Sequence, residues 1–238
     1  MATTKKAVAE TFQIPAPNQK LMKVKITGTS PLIFHKWSQK AIRMILDKQM
    51  KKAAKGREVR DPEAEYKESF YSDPEGSIYV PARNVKQAIV GSARFINGVP
   101  MTILRGSVFV RGETQEVIPV LQKGKKIKLS SKVTMYDESS ETHLPEIVGY
   151  DSKNPTIQMR QDMVTVGMGS ADIRFRGQIE AWELEFFIEY DADILSAEQV
   201  LNLLQRAGFS QGLGEWRPEK NGDNGTFTVN STSEKPKK

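Results

Sequence analysis

The chain has 238 residues, with 35 Lys and Arg against 29 Asp and Glu and a formal net charge of +6. It contains no cysteine, which excludes disulfides, thiolate catalysis and cysteine metal sites. The length favours one domain with insertions over two small domains. The sequence starts without the apolar run of a signal peptide and has no apolar stretch of membrane-spanning length, so we expect a cytoplasmic protein.

The first third of the chain predicts a polar arm, a strand and a basic helix. Residues 1–20 are polar and rich in proline near their end, which is typical of an arm. From residue 21, apolar residues alternate with lysines, the period of a half-buried strand. Apolar residues recur at helical spacing over 37–55, and the opposite side is basic. Residues 57–74 are charged and are expected either to be irregular or to form a second short helix around 62–70.

Positive charge is concentrated in two segments. Residues 36–60 hold nine basic side chains against two acidic ones, a surplus of seven, and residues 123–132 hold five lysines and no acid. Each cluster is either a surface that binds an anionic partner or an ordinary solvated face.

The middle of the chain predicts one helix, short strands and a long irregular segment. Apolar residues from Val85 to Ile96 mark a helix that ends at Asn97-Gly98. Residues 122–155 are rich in lysine, serine and proline, and an irregular run of that length indicates a functional insertion or a mobile loop. The expected strands cover residues 107–111, 116–120, 162–166 and 171–177.

The last third has the clearest pattern. Alternation over 178–190 predicts one strand, and Ser196 with Gln199 forms a capping box that opens a helix over 196–207. Gly208 is the expected left-handed stop of that helix. A glycine loop over 208–218 and a strand over 226–229 follow, and residues 231–238 predict a disordered tail.

This order of elements predicts an α+β fold with a ferredoxin-like βαββαβ core. The core would form a single domain over 21–230. It would carry a basic helical insertion at about 36–75 and a second, longer insertion at about 122–158.

Three short motifs carry a resemblance to a known family. They are Ser30-Pro31-Leu32 after the first strand, Val80-Pro81-Ala82 at the start of a helix, and the glycine loop before the last strand. Together they resemble the repeat-associated (RAMP) superfamily, and in layout the backbone subunits of CRISPR effector complexes. The Gly-Glu-Trp-Arg-Pro segment also resembles short phage and prophage proteins, which implies a bacterial host or a phage-infected cell as the setting. The resemblance implies an RRM-like core that binds single-stranded RNA or DNA along its backbone and stacks head to tail.

The predicted pairing of the first and third core strands bears on where a nucleic acid would bind. Lys23 and Lys25 can face Glu183 and Glu185 across that pair, so the open sheet face should be ion-paired. Only Phe187 is then available there to stack on a base. We therefore expect the nucleic acid to bind elsewhere, against the basic helix, the lysine insertion and the glycine loop.

The residues predicted to contact nucleic acid are basic or aromatic side chains of the insertions and helices, together with the glycine loop. They are Lys36, Trp37, Lys40, Arg43, Lys51, Lys55, Arg83, Lys86, Lys125, Lys126, Lys128, Arg160, Arg174, Arg176, Gly212, Gly214, Trp216 and Arg217.

Several of these residues have a second, purely structural interpretation. The glycine loop is either a phosphate cradle or a tight connection with Trp216 packed into the core. Arg217 could hold a phosphate or a structural salt bridge, and Trp37 could stack on a base or anchor the helical insertion. The segment 163–172 is either a hairpin or a contact between subunits.

Three functions are compatible with this sequence. The first is a non-enzymatic, largely sequence-independent single-stranded nucleic-acid-binding protein without cofactor or metal, forming a homo-oligomer or filament. The second is a protein-interaction module, such as a viral inhibitor. The third is a ribonuclease, although His35 and His143 lie far apart in sequence and no motif selects one of Asp61, Asp137 and Asp151.

Overall fold

The computed structural model describes residues 16–52, 59–137, 146–166 and 169–236. Within these ranges the chain forms five α-helices and two antiparallel sheets. The helices are α1 (Gln39–Gln49), α2 (Pro62–Ser69), α3 (Ala82–Ser92), α4 (Met101–Ser107) and α5 (Ala197–Ser210). The strands are β1 (Gln19–Gly28), β2 (Leu32–Ile33), β3 (Tyr79–Pro81), β4 (Val108–Arg111), β5 (Val117–Gln122), β6 (Lys125–Lys126), β7 (Val133–Met135), β8 (Ile147–Asp151), β9 (Asn154–Val166), β10 (Ser170–Ile179), β11 (Glu183–Asp191) and β12 (Phe227–Pro236).

The larger sheet has the order β12-β1-β11-β5-β3, with β4 also paired to β11 and β6 to β5. Its inner face carries the apolar residues of β1 and β11, all of which are buried: Met22, Val24, Ile26, Leu184, Phe186, Ile188 and Tyr190. Helices α3 and α5 contribute to the same core and touch each other, since the Ser92 hydroxyl donates to Leu203 O at 2.8 Å. The α+β class predicted from the sequence is confirmed.

The second sheet has the order β2-β10-β9-β8-β7. Strands β7 and β8 and the start of β9 come from residues 122–155, which the sequence predicted to be irregular, so that prediction is wrong for these strands. β7 and β8 have only three and five residues, and the β8–β9 pairing is bulged, which explains why the sequence shows no strand period there. The long strands β9 and β10 form a hairpin, one of the two interpretations left open for residues 163–172.

Residues 178–190 are not one continuous strand. β10 ends at Ile179 in the second sheet, and β11 begins at Glu183 in the first. Between them Trp182 is buried and its indole N–H donates to Ser30 O at 2.8 Å. The alternation in sequence therefore ran across a change of sheet, which a single-strand pattern cannot reveal.

The end of α5 also differs from the prediction. Gly208 lies inside the helix and is buried, and a Cβ there would stand 2.0 Å from Phe227 O. The glycine thus allows the helix to approach β12 closely, and Gly212, with φ of +66°, is the left-handed residue after the helix. The capping box of Ser196 and Gln199 is confirmed.

The two ends of the described chain bear on the predicted arm and tail. β1 already begins at Gln19, inside the predicted arm, and residues 1–15 lie outside the described residues. The last strand continues to Pro236 and pairs with β1, so the prediction of a disordered tail from residue 231 is wrong as far as residue 236. None of the helices in the described ranges is long and apolar enough to cross a membrane.

Candidate nucleic-acid interface

A cleft of about 700 Å³ lies between helix α3 and the glycine loop. Its walls come from four places in the chain: the segment after β2, helix α3, helix α4 and the loop after α5. Its charged lining residues are His35, Arg83, Lys86, Arg94, Arg105, Glu215, Arg217 and Glu219. Five arginines and lysines against two carboxylates make this cleft suited to an anionic ligand.

Three of the cationic side chains in the cleft have no ion-pair partner among the residues that the structure describes. In the described part of the chain no carboxylate pairs with Arg83, Arg94 or Arg105, and all three are exposed. Arg83 was predicted from the sequence, whereas Arg94 and Arg105 were not selected. Arg94 could have been found from the sequence, because it lies on the same polar side of the predicted helix as Arg83 and Lys86. Arg105 could not, because only the fold brings it into the cleft.

The glycine loop forms the opposite wall, and most of its backbone donors are used within the protein. The N–H groups of Gly212, Leu213 and Glu215 donate to Ala207 O, Gly225 O and Ile33 O, each at 2.9 Å. An anion cannot compete for those donors without breaking the loop, so the phosphate-cradle expectation is wrong for these three groups.

Two side chains of the loop are held by partners. Arg217 donates to Glu219 Oε2 at 2.6 Å and to Gly214 O at 2.8 Å, the structural salt bridge that was one of its two interpretations. Trp216 is not a core residue, since 37% of it is exposed and its indole donates to Asp162 Oδ2 at 3.3 Å.

Gly214 marks the tightest approach of the loop to the rest of the cleft wall. Its φ is +78°, and a Cβ there would stand 2.3 Å from Ile33 O. The position therefore requires glycine for conformation and for packing, whatever else the loop does.

Behind the loop lies a buried ionic cluster centred on Asp162. Its carboxylate contacts Arg160 Nε at 2.6 Å and Arg176 Nη1 at 2.9 Å. Arg176 is 4% exposed, so it cannot reach a nucleic acid, and Arg160 is committed to the same carboxylate. Arg174 is half-exposed and pairs with Asp172 at 2.9 Å. The sequence predicts that Arg160, Arg174 and Arg176 contact the phosphate backbone of a nucleic acid. Burial excludes that contact for Arg176.

His35 and Glu215 meet at the floor of the cleft. His35 Nδ1 lies 3.5 Å from Glu215 Oε1, and Arg176 Nη2 lies 4.0 Å from the same oxygen. The hydrogen bond with His35 lowers the pKa of Glu215 below its usual value; Arg176 and Arg217 act in the same direction, and burial opposes them. Glu215 is therefore held as a carboxylate.

The basic helix predicted from the sequence exists as α1 but takes no part in the cleft. None of its residues is buried, and Trp37 just before it is 60% exposed, so Trp37 does not anchor the insertion. The predicted contacts Lys36, Lys40, Arg43 and Lys51 lie in or beside α1, outside the cleft lining. Lys55 and His143 lie outside the described residues.

The lysine cluster lies on the β5–β6 hairpin, beside a second cleft of about 460 Å³ lined by Lys123, Lys125, Lys126 and Lys128. Lys126 pairs with Glu113 at 2.7 Å, and Lys128 lies 3.7 Å from Glu75. Lys126 and Lys128, two of the residues predicted to contact nucleic acid, thus have carboxylate partners within the protein that compensate their charge.

The prediction of an ion-paired sheet face is confirmed. Lys23 lies 3.2 Å from Glu185, and Lys25 lies 3.0 Å from Glu183.

No group of three or more potential metal ligands occurs among the described residues.

Fold and cleft together define an α+β protein of antiparallel sheets with a cationic cleft beside a glycine loop. No family model matches the sequence, and no curated protein matches it. Among solved structures, the chain is similar to one chain of a complex described as the cryo-EM structure of the Type III-B Cmr-beta bound to cognate target RNA. The identity is 9%, the TM-score is 0.48, and the match covers 91% of this chain and 61% of that chain. This chain thus spans about three-fifths of that neighbour, and a likeness at this level carries no argument about function.

Proposed function

We propose that the protein binds single-stranded nucleic acid, largely independently of sequence, with the phosphate backbone in the cleft between α3 and the glycine loop. The observation that carries this proposal is the set of exposed arginines, Arg83, Arg94 and Arg105, which have no carboxylate partner in the described chain and converge on one cleft. Guanidinium groups bind phosphates in bidentate fashion and release counterions from the strand when they do so.

The shape of the cleft favours a single strand. Its volume of about 700 Å³ is that of a site for a small ligand, so it accommodates a short stretch of one strand rather than a duplex. Its lining is rich in arginine and lysine, which supports contact with the phosphate backbone.

The order of secondary structure supports the ferredoxin-like part of the proposal. We infer that β1, α3, β4, β11, α5 and β12 form a βαββαβ core, because the strand order β12-β1-β11-β4 is the 4-1-3-2 order of an antiparallel sheet of this kind. With the motifs quoted above, this order supports membership of the RAMP superfamily.

Assembly along the strand, as a homo-oligomer, is the further part of the proposal. It is supported by α1, which has no buried residue and leaves Met44, Leu46 and Met50 at least half exposed. An amphipathic helix with an uncovered apolar side is typical of a contact between proteins. Electron microscopy with and without a long oligonucleotide tests this part separately.

The binding test is a fluorescence-anisotropy titration with single-stranded RNA, single-stranded DNA and duplex DNA at two salt concentrations. The double variant Arg83→Gln/Arg94→Gln should bind single strands at least 10-fold more weakly, since each charge contact contributes about 1 kcal/mol or more. The control Lys153→Gln/Arg206→Gln loses the same charge outside the cleft and should bind nearly as the wild type does. Absence of binding to any probe at low salt refutes the proposal.

A second candidate function, cleavage of the bound RNA, is favoured by the pairing of His35 and Glu215 within the same cleft. A carboxylate that orients an imidazole is a common arrangement for general acid–base catalysis. Incubation of labelled RNA with wild type and His35→Ala tests it: activity lost in His35→Ala supports cleavage, and activity equal in both proteins excludes His35 as the catalyst.

A further inference from the structure

Phe109 lies on an exposed strand edge and contacts Lys86, a residue of the cleft lining. Helix α4, which contributes Arg105 to the cleft, runs directly into β4, and Phe109 is the second residue of that strand. Its neighbours Val108 and Val110 are buried, so alternation turns Phe109 away from the core, onto the sheet face that also carries Phe187. The expectation that Phe187 is the single aromatic residue of that face is therefore wrong. In the described part of the chain β4 pairs on one side only, with β11.

Two cations hold the ring of Phe109. Lys86 Nζ lies 4.2 Å from the ring centroid, and Arg111 Cζ lies 5.7 Å from it. Lys86 also lines the cleft, and its ammonium group donates to Arg105 O at 2.9 Å. Lys86 therefore connects the cleft to the aromatic ring. A nucleic-acid strand that leaves the cleft past Lys86 would reach Phe109 next.

The surroundings of the ring have an excess of positive charge. Burial lowers the pKa of Lys86, and the nearby Arg111 lowers it further. The carboxylate that faces this group is Glu189, which lies 3.5 Å from Arg111 Nε. A phosphate group placed beside Lys86 and Arg111 would reduce the repulsion between these two positive charges.

We propose that Phe109 is a base-stacking position: an unpaired nucleobase of the bound strand stacks on its ring, and Lys86 and Arg111 contact the phosphates on either side of that nucleotide. The ring remains 37% exposed, which leaves surface for a base. The proposal rests on the proposed function and deepens it. Stacking at Phe109 would produce the proposed preference for single strands, because the faces of bases in a duplex are already covered by their neighbours.

The test combines protein variants with abasic oligonucleotides. Phe109→Ala should weaken binding of a short single strand about 10-fold, as expected for the loss of one base-stacking contact. Phe109→Trp should keep or improve the affinity. Phe209→Ala is the matched control, since Phe209 is 74% exposed on α5 and does not line the cleft. Unfolding midpoints of all variants exclude loss of fold as the cause.

Abasic substitution identifies stacking directly. One abasic position in the strand should weaken wild-type binding by the same factor as Phe109→Ala, and it should weaken Phe109→Ala itself by little. Equal sensitivity of both proteins to every abasic position refutes stacking at Phe109. If Phe109→Ala binds like the wild type while Arg83→Gln/Arg94→Gln binds weakly, this inference fails and the proposed function stands. If the wild type binds no strand, the proposed function itself fails.

Discussion

Arg176 and Asp162 form an ion pair that is almost completely buried, with Nη1 and Oδ2 2.9 Å apart and each side chain 5% exposed. Asp162 also accepts from Arg160 and from the indole of Trp216 in the glycine loop. One carboxylate thus connects the β9–β10 hairpin to the loop that walls the cleft, which fixes the position of the loop.

We predict that Asp162→Asn lowers the free energy of unfolding by about 3 kcal/mol, because it removes the nearest counterion of the buried guanidinium of Arg176 and leaves only Glu215, at 4.0 Å. Urea denaturation measures this loss. The control is Asp172→Asn, whose partners Arg60 and Arg174 are both partly exposed, and it should lose about 1 kcal/mol or less for each of the two pairs. Equal losses in the two variants would show that burial of the pair does not determine its contribution.

Gly208→Ala should destabilise the protein by about 1–3 kcal/mol, although alanine favours helices, because its Cβ would collide with Phe227 O. Gly106→Ala is the matched change in another helix, where a Cβ meets nothing within 4 Å. It should stabilise the protein by about 0.5–1 kcal/mol. Thermal unfolding of both variants checks the opposite signs, and a stable Gly208→Ala protein would contradict the close approach of α5 to β12.

The lowered pKa of Glu215 predicts a pH-dependent contribution to stability. A carboxyl group with a lower pKa in the folded state stabilises the fold above its ordinary value of 4.5, and this contribution is lost as pH falls through the folded-state pKa. The stability difference between wild type and Glu215→Gln should therefore shrink as pH falls below 4.5. His35→Ala should remove much of the effect, since His35 is the largest cause of the lowered pKa. A difference that does not change with pH would contradict this.

The salt dependence of binding should report the arginines of the cleft. If Arg83, Arg94 and Arg105 each neutralise one phosphate, the triple change to Gln should reduce the slope of log K against log salt by about 2, roughly 0.7 for each contact. Titrations at four or more salt concentrations give the slope. The double variant Lys40→Gln/Arg43→Gln tests helix α1 as the alternative binding surface. A change of slope in this double variant, with none in the triple variant, would show that the nucleic acid binds to α1 and not in the cleft.

The pattern of local elements was predictable, because it depends on residues close together in sequence. The alternation of Leu184, Phe186 and Ile188 identified a buried strand face, and Ser196 with Gln199 identified the start of α5. The ion pairs of Lys23 and Lys25 followed from that alternation once the neighbouring strand was known.

The charged positions were less predictable. Arg160, Arg176 and Arg217 have the same chemistry in sequence as Arg83 and Arg94. The first three have carboxylate partners, whereas the last two have none among the described residues. Whether an arginine is available to a ligand depends on which carboxylate the fold brings beside it, and Asp162 and Glu219 are visible as partners only in three dimensions.

By itself, the sequence determined an α+β protein with a basic surplus, a capped helix and a glycine loop before its last strand. The tertiary structure alone decided that the chain changes sheet at Trp182, that Gly208 lies inside a helix, and that His35, Arg94 and Arg105 border one cleft. The physical reason is range: helical and strand periods and caps are set by neighbours in the chain, whereas a binding cleft is set by contacts between residues far apart in the chain.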